Sequence, residues 1–272
     1  MGQLLSHYTK LNVIEKILQK DNVTFWASRF DSMNDPFDCK FATEIVMQEA
    51  ITIVKERYGG SVENTKLFPY VISFSKNYDN FNMWRLYNSE VSLVFDFDTN
   101  NFFEKIANQN IEIHGDCIYL KREDVRSYVI KEFEKIQNWL ELTRDDILDI
   151  IQSICFKIKE YSYCDENEWR FISCDSLSFI TKYDPNSPDN CIITEGEVPI
   201  NIGVRCVKND RLKFYKEIKF KKEYLKKIIL KTYDKKLFEE QKKDLKLLLI
   251  NKEYDITEIE ILQTKTYPCI QE

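Results

Sequence analysis

Apolar and polar positions along the chain alternate in a way that predicts many short strands interrupted by a few helices. Val13, Ile14, Ile17 and Leu18 recur at helical spacing and predict an amphipathic helix over 11–19. Residues 23–27 read as a strand and 28–37 as a loop, while 45–58 keep a helical pattern that stops at Gly59-Gly60. The runs 70–75 and 91–97 are rich in Val, Ile and Phe and predict strands, with one helical turn between them at 83–87. A short helix is expected at 102–107 and a single strand at 111–120. Residues 124–159 read as mostly helical, with a break near Thr143 where Thr143 can cap and Asp145 and Asp146 favour a first turn. Strands return at 169–173, 198–207 and 213–220, and the last segments predict strand, helix and strand at 225–230, 235–250 and 256–262. With no repeat and no linker, the pattern predicts one α+β domain over 1–272, carrying a helical insertion at 121–160.

Composition narrows the class. A chain of 272 residues with 43% hydrophobic and 31% charged content can bury a sizeable core and reads as globular. The net charge of −6 gives no support for general nucleic-acid affinity, although Lys residues crowd into 208–247. Eight cysteines form no CxxC pair and there are 2 histidines, His7 and His114, so no zinc site is expected. No basic start with an apolar run and no bilayer-length segment is present, which predicts a cytoplasmic protein with reduced thiols and no membrane partner.

Candidate chemistry centres on Glu166-Asn167-Glu168-Trp169-Arg170-Phe171. On a strand, Glu166, Glu168 and Arg170 share one face and Trp169 and Phe171 the other. Buried charge is costly unless paired or used, so this row is either a solvated surface or a site. His7-Tyr8-Thr9 offers an imidazole and a hydroxyl on one face, or else a helix start capped by Thr9. Asn34-Asp35-Pro36-Phe37-Asp38 is a turn signal or a cleft loop. Ser73 and Ser75 share a strand face, and Trp84 and Tyr87 could stack on a flat ring or belong to the core. Walker, GxGxxG and GxSxG motifs are absent. Asp96, Asp98 and Glu112 leave a metal-dependent nuclease open as an alternative.

The order of these blocks resembles a bacterial family called domain of unknown function twenty-nine seventy-one. The likeness runs over residues 5–175 and, more loosely, the final strand–helix–strand; its most specific blocks are NDPFD and ExEWR. The family's glycine after the Met-Trp block is missing from Asn88-Ser89-Glu90-Val91, which implies a different cleft wall around Trp84 and Tyr87. The layout is also similar to the ADP-ribosyltransferase superfamily, which implies a split β-sheet and NAD as substrate. By that resemblance His7, Tyr8 and Thr9 bind a ribose, and Ser73 and Ser75 lie beside the nicotinamide-ribose. Trp84 or Tyr87 forms a stacking wall, Glu168 holds the 2′-hydroxyl, Glu166 orients or deprotonates the acceptor, and Arg170 holds the acids or a phosphate. The acceptor is then a protein, a nucleic acid or water, in a toxin or phage-defence setting. A non-catalytic nucleotide-sensing or partner-binding module on the same fold is the other reading.

Overall fold

A computed structural model of the chain describes residues 3–29, 41–46, 48–49, 52, 69–97, 113–136, 150–151, 153–173, 181–182, 192–193, 202–207 and 211–266. The chain opens with β1 (Gln3–Thr9), α1 (Leu11–Ile17) and β2 (Val23–Arg29). Then come β3 (Tyr70–Ser75), α2 (Phe81–Leu86) and β4 (Val91–Phe97). The middle holds β5 (Ile113–Asp116), β6 (Ile118–Leu120), α3 (Arg122–Glu134) and β7 (Ile158–Glu160). A 3-10 turn over Tyr161–Glu166 leads into β8 (Glu168–Ser173). Short strands β9 (Thr181–Lys182) and β10 (Ile192–Ile193) pair with each other. The remainder is β11 (Ile202–Val207), β12 (Arg211–Phe220), β13 (Leu225–Leu230), α4 (Lys235–Asn251) and β14 (Glu260–Gln263).

The result is a mixed α and β architecture around an open, mostly antiparallel sheet of 10 strands. Its order is β11-β12-β2-β3-β1-β4-β13-β14, with β8 attached along β3 and β5 beyond it. Strand β8 pairs with the whole of β3, from Tyr70 opposite Ser173 to Ser75 opposite Glu168. The other edge of β3 is shared. Strand β2 meets it at Tyr70 and Val71, and β1 meets it at Ser75. Between those contacts the ladder opens around Ser73, whose backbone groups point to that edge by antiparallel alternation. Strands β13 and β14 run parallel, joined by α4 as the crossover.

Alternation along the strands builds two cores. One face carries Phe25, Phe74, Phe95, Phe97, Phe171 and Phe220, buried together with aliphatic residues of β13 and α4. Val71 and Ile172 point the other way and pack on Val125, Val129, Phe133, Ile154, Phe156 and Ile158. Among the described residues, no helix is long and apolar enough to cross a membrane.

Several expected elements differ. The single strand over 111–120 is two strands, β5 pairing with β8 and β6 pairing with β7. Within β5 Gly115 adopts φ +143°, and between the two strands Cys117 N–H donates to Glu168 O at 2.9 Å. The helical pattern expected to reach Lys159 stops earlier: residues 150–151 and 153–155 are helical, and Ile158–Glu160 is strand β7. Ile158 is β-branched and fully buried, which favours the extended backbone. The helical segments therefore form a crossover between parallel β6 and β7. The last strand begins at Glu260 rather than Ile256, because Asp255 caps a turn by accepting from Thr257 N–H at 3.0 Å. The NDPFD loop, the 102–107 helix and the break at 143–145 lie outside the described residues.

Candidate functional site

Strands β3 and β8 set the geometry. Period-two alternation places Ser73, Ser75, Glu168 and Arg170 on the face opposite Phe74 and Phe171, with Ser75 beside Glu168 and Ser73 beside Arg170. Glu166 is not on the strand, contrary to the alternation read from sequence. It ends the 3-10 turn, and Asn167 in the left-handed region (φ 43°) swings the chain into β8. Asn tolerates that conformation better than most residues. The Ser75 hydroxyl fixes the turn, donating to Glu166 O at 2.7 Å while accepting from Asn77 N–H at 3.0 Å.

The charged row is buried and paired. Arg170 is fully buried; its Nε and Nη2 donate to Glu168 at 2.7 and 3.3 Å, and its Nη1 donates to Phe156 O at 2.9 Å. Lys159, also buried, bridges the two acids, bonding Glu168 Oε2 at 2.7 Å and Glu166 Oε2. Tyr87 OH donates to Glu166 Oε1 at 2.9 Å. Two cations thus balance two carboxylates, which is the condition under which burying them is tolerable.

The two glutamates differ electrostatically. Burial pushes Glu168 up, but Arg170 and then Lys159 outweigh it and hold the carboxyl low, at about 2. Burial also pushes Glu166 up, and Lys159 offsets this incompletely, with Glu168 adding repulsion, so its proton affinity is raised. Glu168 is held as the anion, and Glu166 has the higher proton affinity of the two.

His7 stands at the opening in the ladder. Its Nδ1 lies 3.2 Å from Ser73 O, and its ring meets Phe25 edge-on at 4.7 Å and Phe74 at 5.7 Å. Burial lowers its pKa to about 4, so it is neutral near pH 7. A carbonyl partner requires Nδ1 to be the N–H donor, which leaves Nε2 as an acceptor. Tyr8 points to the other face, donating to Asn77 O at 2.6 Å and accepting from Asn80 N–H.

A cavity of about 800 Å³ lies at the parted edge, lined by His7, Ser73, Ser75, Tyr87, Glu166 and Glu168. Tyr8, Thr9, Lys159 and Tyr163 also reach it. Trp84 does not. It is fully buried against Val94 and Ile229 and donates Nε1–H to Asp79 at 3.0 Å, so it is core rather than a stacking wall. The turn after it is made without glycine, by Asn88 at φ 44°. Lys159 is the residue whose role sequence reading missed. It fell at the end of a pattern taken as helical, and its best signal is the β-branched Ile158 beside a charge just before the turn. Asp96 lies on β4, and Asp98 and Glu112 lie outside the described residues. Among the described residues, no group of three or more His, Cys, Asp or Glu side chains is arranged to hold a metal ion.

Residues 83–171 match the family described as Protein of unknown function (DUF2971), which bears out that resemblance from Met83 to Phe171 and takes in β8 up to Phe171. No curated protein and no solved structure matches the chain.

Proposed function

We propose that the protein is an ADP-ribosyltransferase-like enzyme that uses NAD, transferring ADP-ribose to a protein or nucleic acid or hydrolysing NAD. Toxin action or phage defence is the setting that fits such chemistry. One observation carries the reading: His7, Ser73, Ser75, Glu166 and Glu168 come from three separated parts of the chain and line one cavity of about 800 Å³. That volume suits a nucleotide-sized ligand, and the parted edge of β3 is what a split-sheet cleft calls for.

In this reading His7 Nε2 accepts from a ribose hydroxyl, and Ser73, partly exposed, lies beside the sugar. Tyr87, with its ring at the rim, takes the stacking place that Trp84 cannot fill. Glu168 binds the 2′-hydroxyl and stabilises positive charge on the ribose as the bond to nicotinamide breaks. A carboxylate has about four acceptor sites, and Arg170 and Lys159 use three of those on Glu168, so one remains for substrate. Glu166 takes the acceptor's proton. Arg170 holds Glu168; its burial keeps it from a phosphate.

The test is incubation with labelled NAD, with and without cell lysate, reading nicotinamide release and label transfer. Glu168→Gln is expected to lower turnover by roughly 100-fold or more while circular dichroism stays unchanged. Unchanged turnover removes Glu168 from the mechanism. The engagement of both Glu168 oxygens with cations favours a second reading, a nucleotide-sensing module; saturable NAD binding by the wild type with no turnover would establish it in place of the enzyme.

A further inference from the structure

The small parallel ladder of β6 and β7 stands apart from the main sheet, yet its bonds converge on one residue. Its three partnered positions are Ile118 with Ile158, Tyr119 with Lys159, and Leu120 with Glu160. The central pair grips Glu168 twice: Tyr119 OH accepts from Glu168 N–H at 2.7 Å, and Lys159 Nζ donates to Glu168 Oε2 at 2.7 Å. Neighbouring bonds fasten the same corner. Cys117 N–H donates to Glu168 O at 2.9 Å, and Ile118 N–H donates to Lys157 O at 2.7 Å. Arg170 Nη1 reaches Phe156 O, two residues before β7. The helical crossover between β6 and β7 supplies the buried apolar side chains that seat this ladder against Val71 and Ile172.

A two-stranded ladder of this length is marginal by itself. Its polar pair at Tyr119 and Lys159 faces a buried acid, where a structural filler would be apolar and cheaper to bury. Lys159 further touches both acids and lies 5.1 Å from the centre of the Tyr163 ring, itself part of the cavity wall.

We infer that Lys159, presented by the β6–β7 ladder and supported by Tyr119, is a positioning residue that holds the two glutamates together at one cavity. It bridges both carboxylates, while Arg170, which bonds Glu168 alone, sets that acid apart as the anion and leaves Glu166 as the proton acceptor. This rests on the NAD-using reading of the same cavity. In the transfer, the ribose C1′–N bond breaks and its electron pair leaves with nicotinamide. An acceptor oxygen then bonds to C1′, and its proton passes to Glu166. Lys159 takes no part in bond making; it holds the geometry and keeps the two carboxylates from sharing a proton.

The experiment begins with the full-length wild-type chain labelled with ¹³C at glutamate carboxyls, titrated by NMR. Glu166 and Glu168 are assigned by Glu166→Gln and Glu168→Gln. Glu166 is expected to gain its proton at a higher pH than Glu168; the reverse order overturns the inference. In Lys159→Met both midpoints should rise, with Glu166 still above Glu168, and Lys159→Arg should bring both back toward their wild-type values. If Lys159→Met does not fold, the wild-type titration and Lys159→Arg still decide. An unshifted Glu168 midpoint in a folded Lys159→Met protein also overturns it. With NAD, Lys159→Met should lower kcat by roughly 10-fold or more with little change in KM, and the acid limb of the wild-type rate should follow the Glu166 midpoint. A limb that follows another group overturns the task given to Glu166. The titration needs no turnover, so absence of NAD consumption with the proton order intact would refute the enzyme reading and not the positioning.

Discussion

The two faces of β3 and β8 are built from the same twelve residues and hold together by different physics. On one face Phe74 and Phe171 meet edge-on at 5.4 Å within a cluster of aromatic rings. On the other, Glu168 and Arg170 are equally buried and survive there because each charge has a partner. The apolar face is stabilised by area and volume, so it tolerates change in proportion to the atoms lost. The polar face depends on complete pairing, and losing one member leaves a buried charge stranded.

Substitutions on each face can break that contrast. Arg170→Met should have the largest effect, destabilising by about 3–5 kcal/mol, because Glu168 loses its strongest partner inside the protein. Denaturant midpoints measure it; a cost under about 1 kcal/mol would mean that Glu168 finds water or moves. Phe171→Leu removes part of a ring from the other face and should cost about 1–2 kcal/mol, leaving NAD turnover per folded molecule unchanged. Loss of turnover there would show that the faces are coupled.

Acidity sharpens the comparison next. His7 has a native pKa near 4 against an ordinary 6.5, so between those values the unfolded chain binds a proton that the native ring refuses. Stability therefore falls as pH drops from 6.5 toward 4, and His7→Phe should flatten that limb of the unfolding curve. Glu168 acts in the same direction at lower pH: its contribution is present above the usual carboxylate range and is lost as pH falls through about 2. Glu166, whose proton affinity is raised, acts oppositely and weakens the fold as pH rises through its native value. The smallest effect is expected from Trp84→Phe. Loss of the Nε1–H bond to Asp79 should cost about 1 kcal/mol and leave turnover unchanged, since Trp84 faces the core.

Much of this was legible in the sequence wherever the signal is local. The runs at β3 and β4 have the bounds read from their Val, Ile and Phe content, β13 has the bounds expected at 225–230, and α4 ends within a residue of the expected 235–250. The pairing demanded by a buried Glu–x–Glu–x–Arg row was also foreseeable from the cost of burying charge. Two misreadings share a cause. The pattern reads 111–120 as one strand and 157–159 as the end of a helix, because local pattern does not report which sheet a segment joins. The left-handed turn at Asn167 likewise hid the fact that Glu166 lies off the strand.

Residue order settles the alternation that sets Phe74 and Phe171 on one face of β3 and β8 and Ser73, Ser75, Glu168 and Arg170 on the other, since side-chain direction follows from strand geometry alone. It also determined that the acids at Glu166 and Glu168 need cations. Only the tertiary structure decided that Lys159, rather than any nearer cation, bridges them, that Trp84 turns into the core, and that β1 and β2 part along β3 to leave a cavity. Those outcomes depend on long-range strand pairing, in which the free energy comes from contacts between segments far apart in the chain.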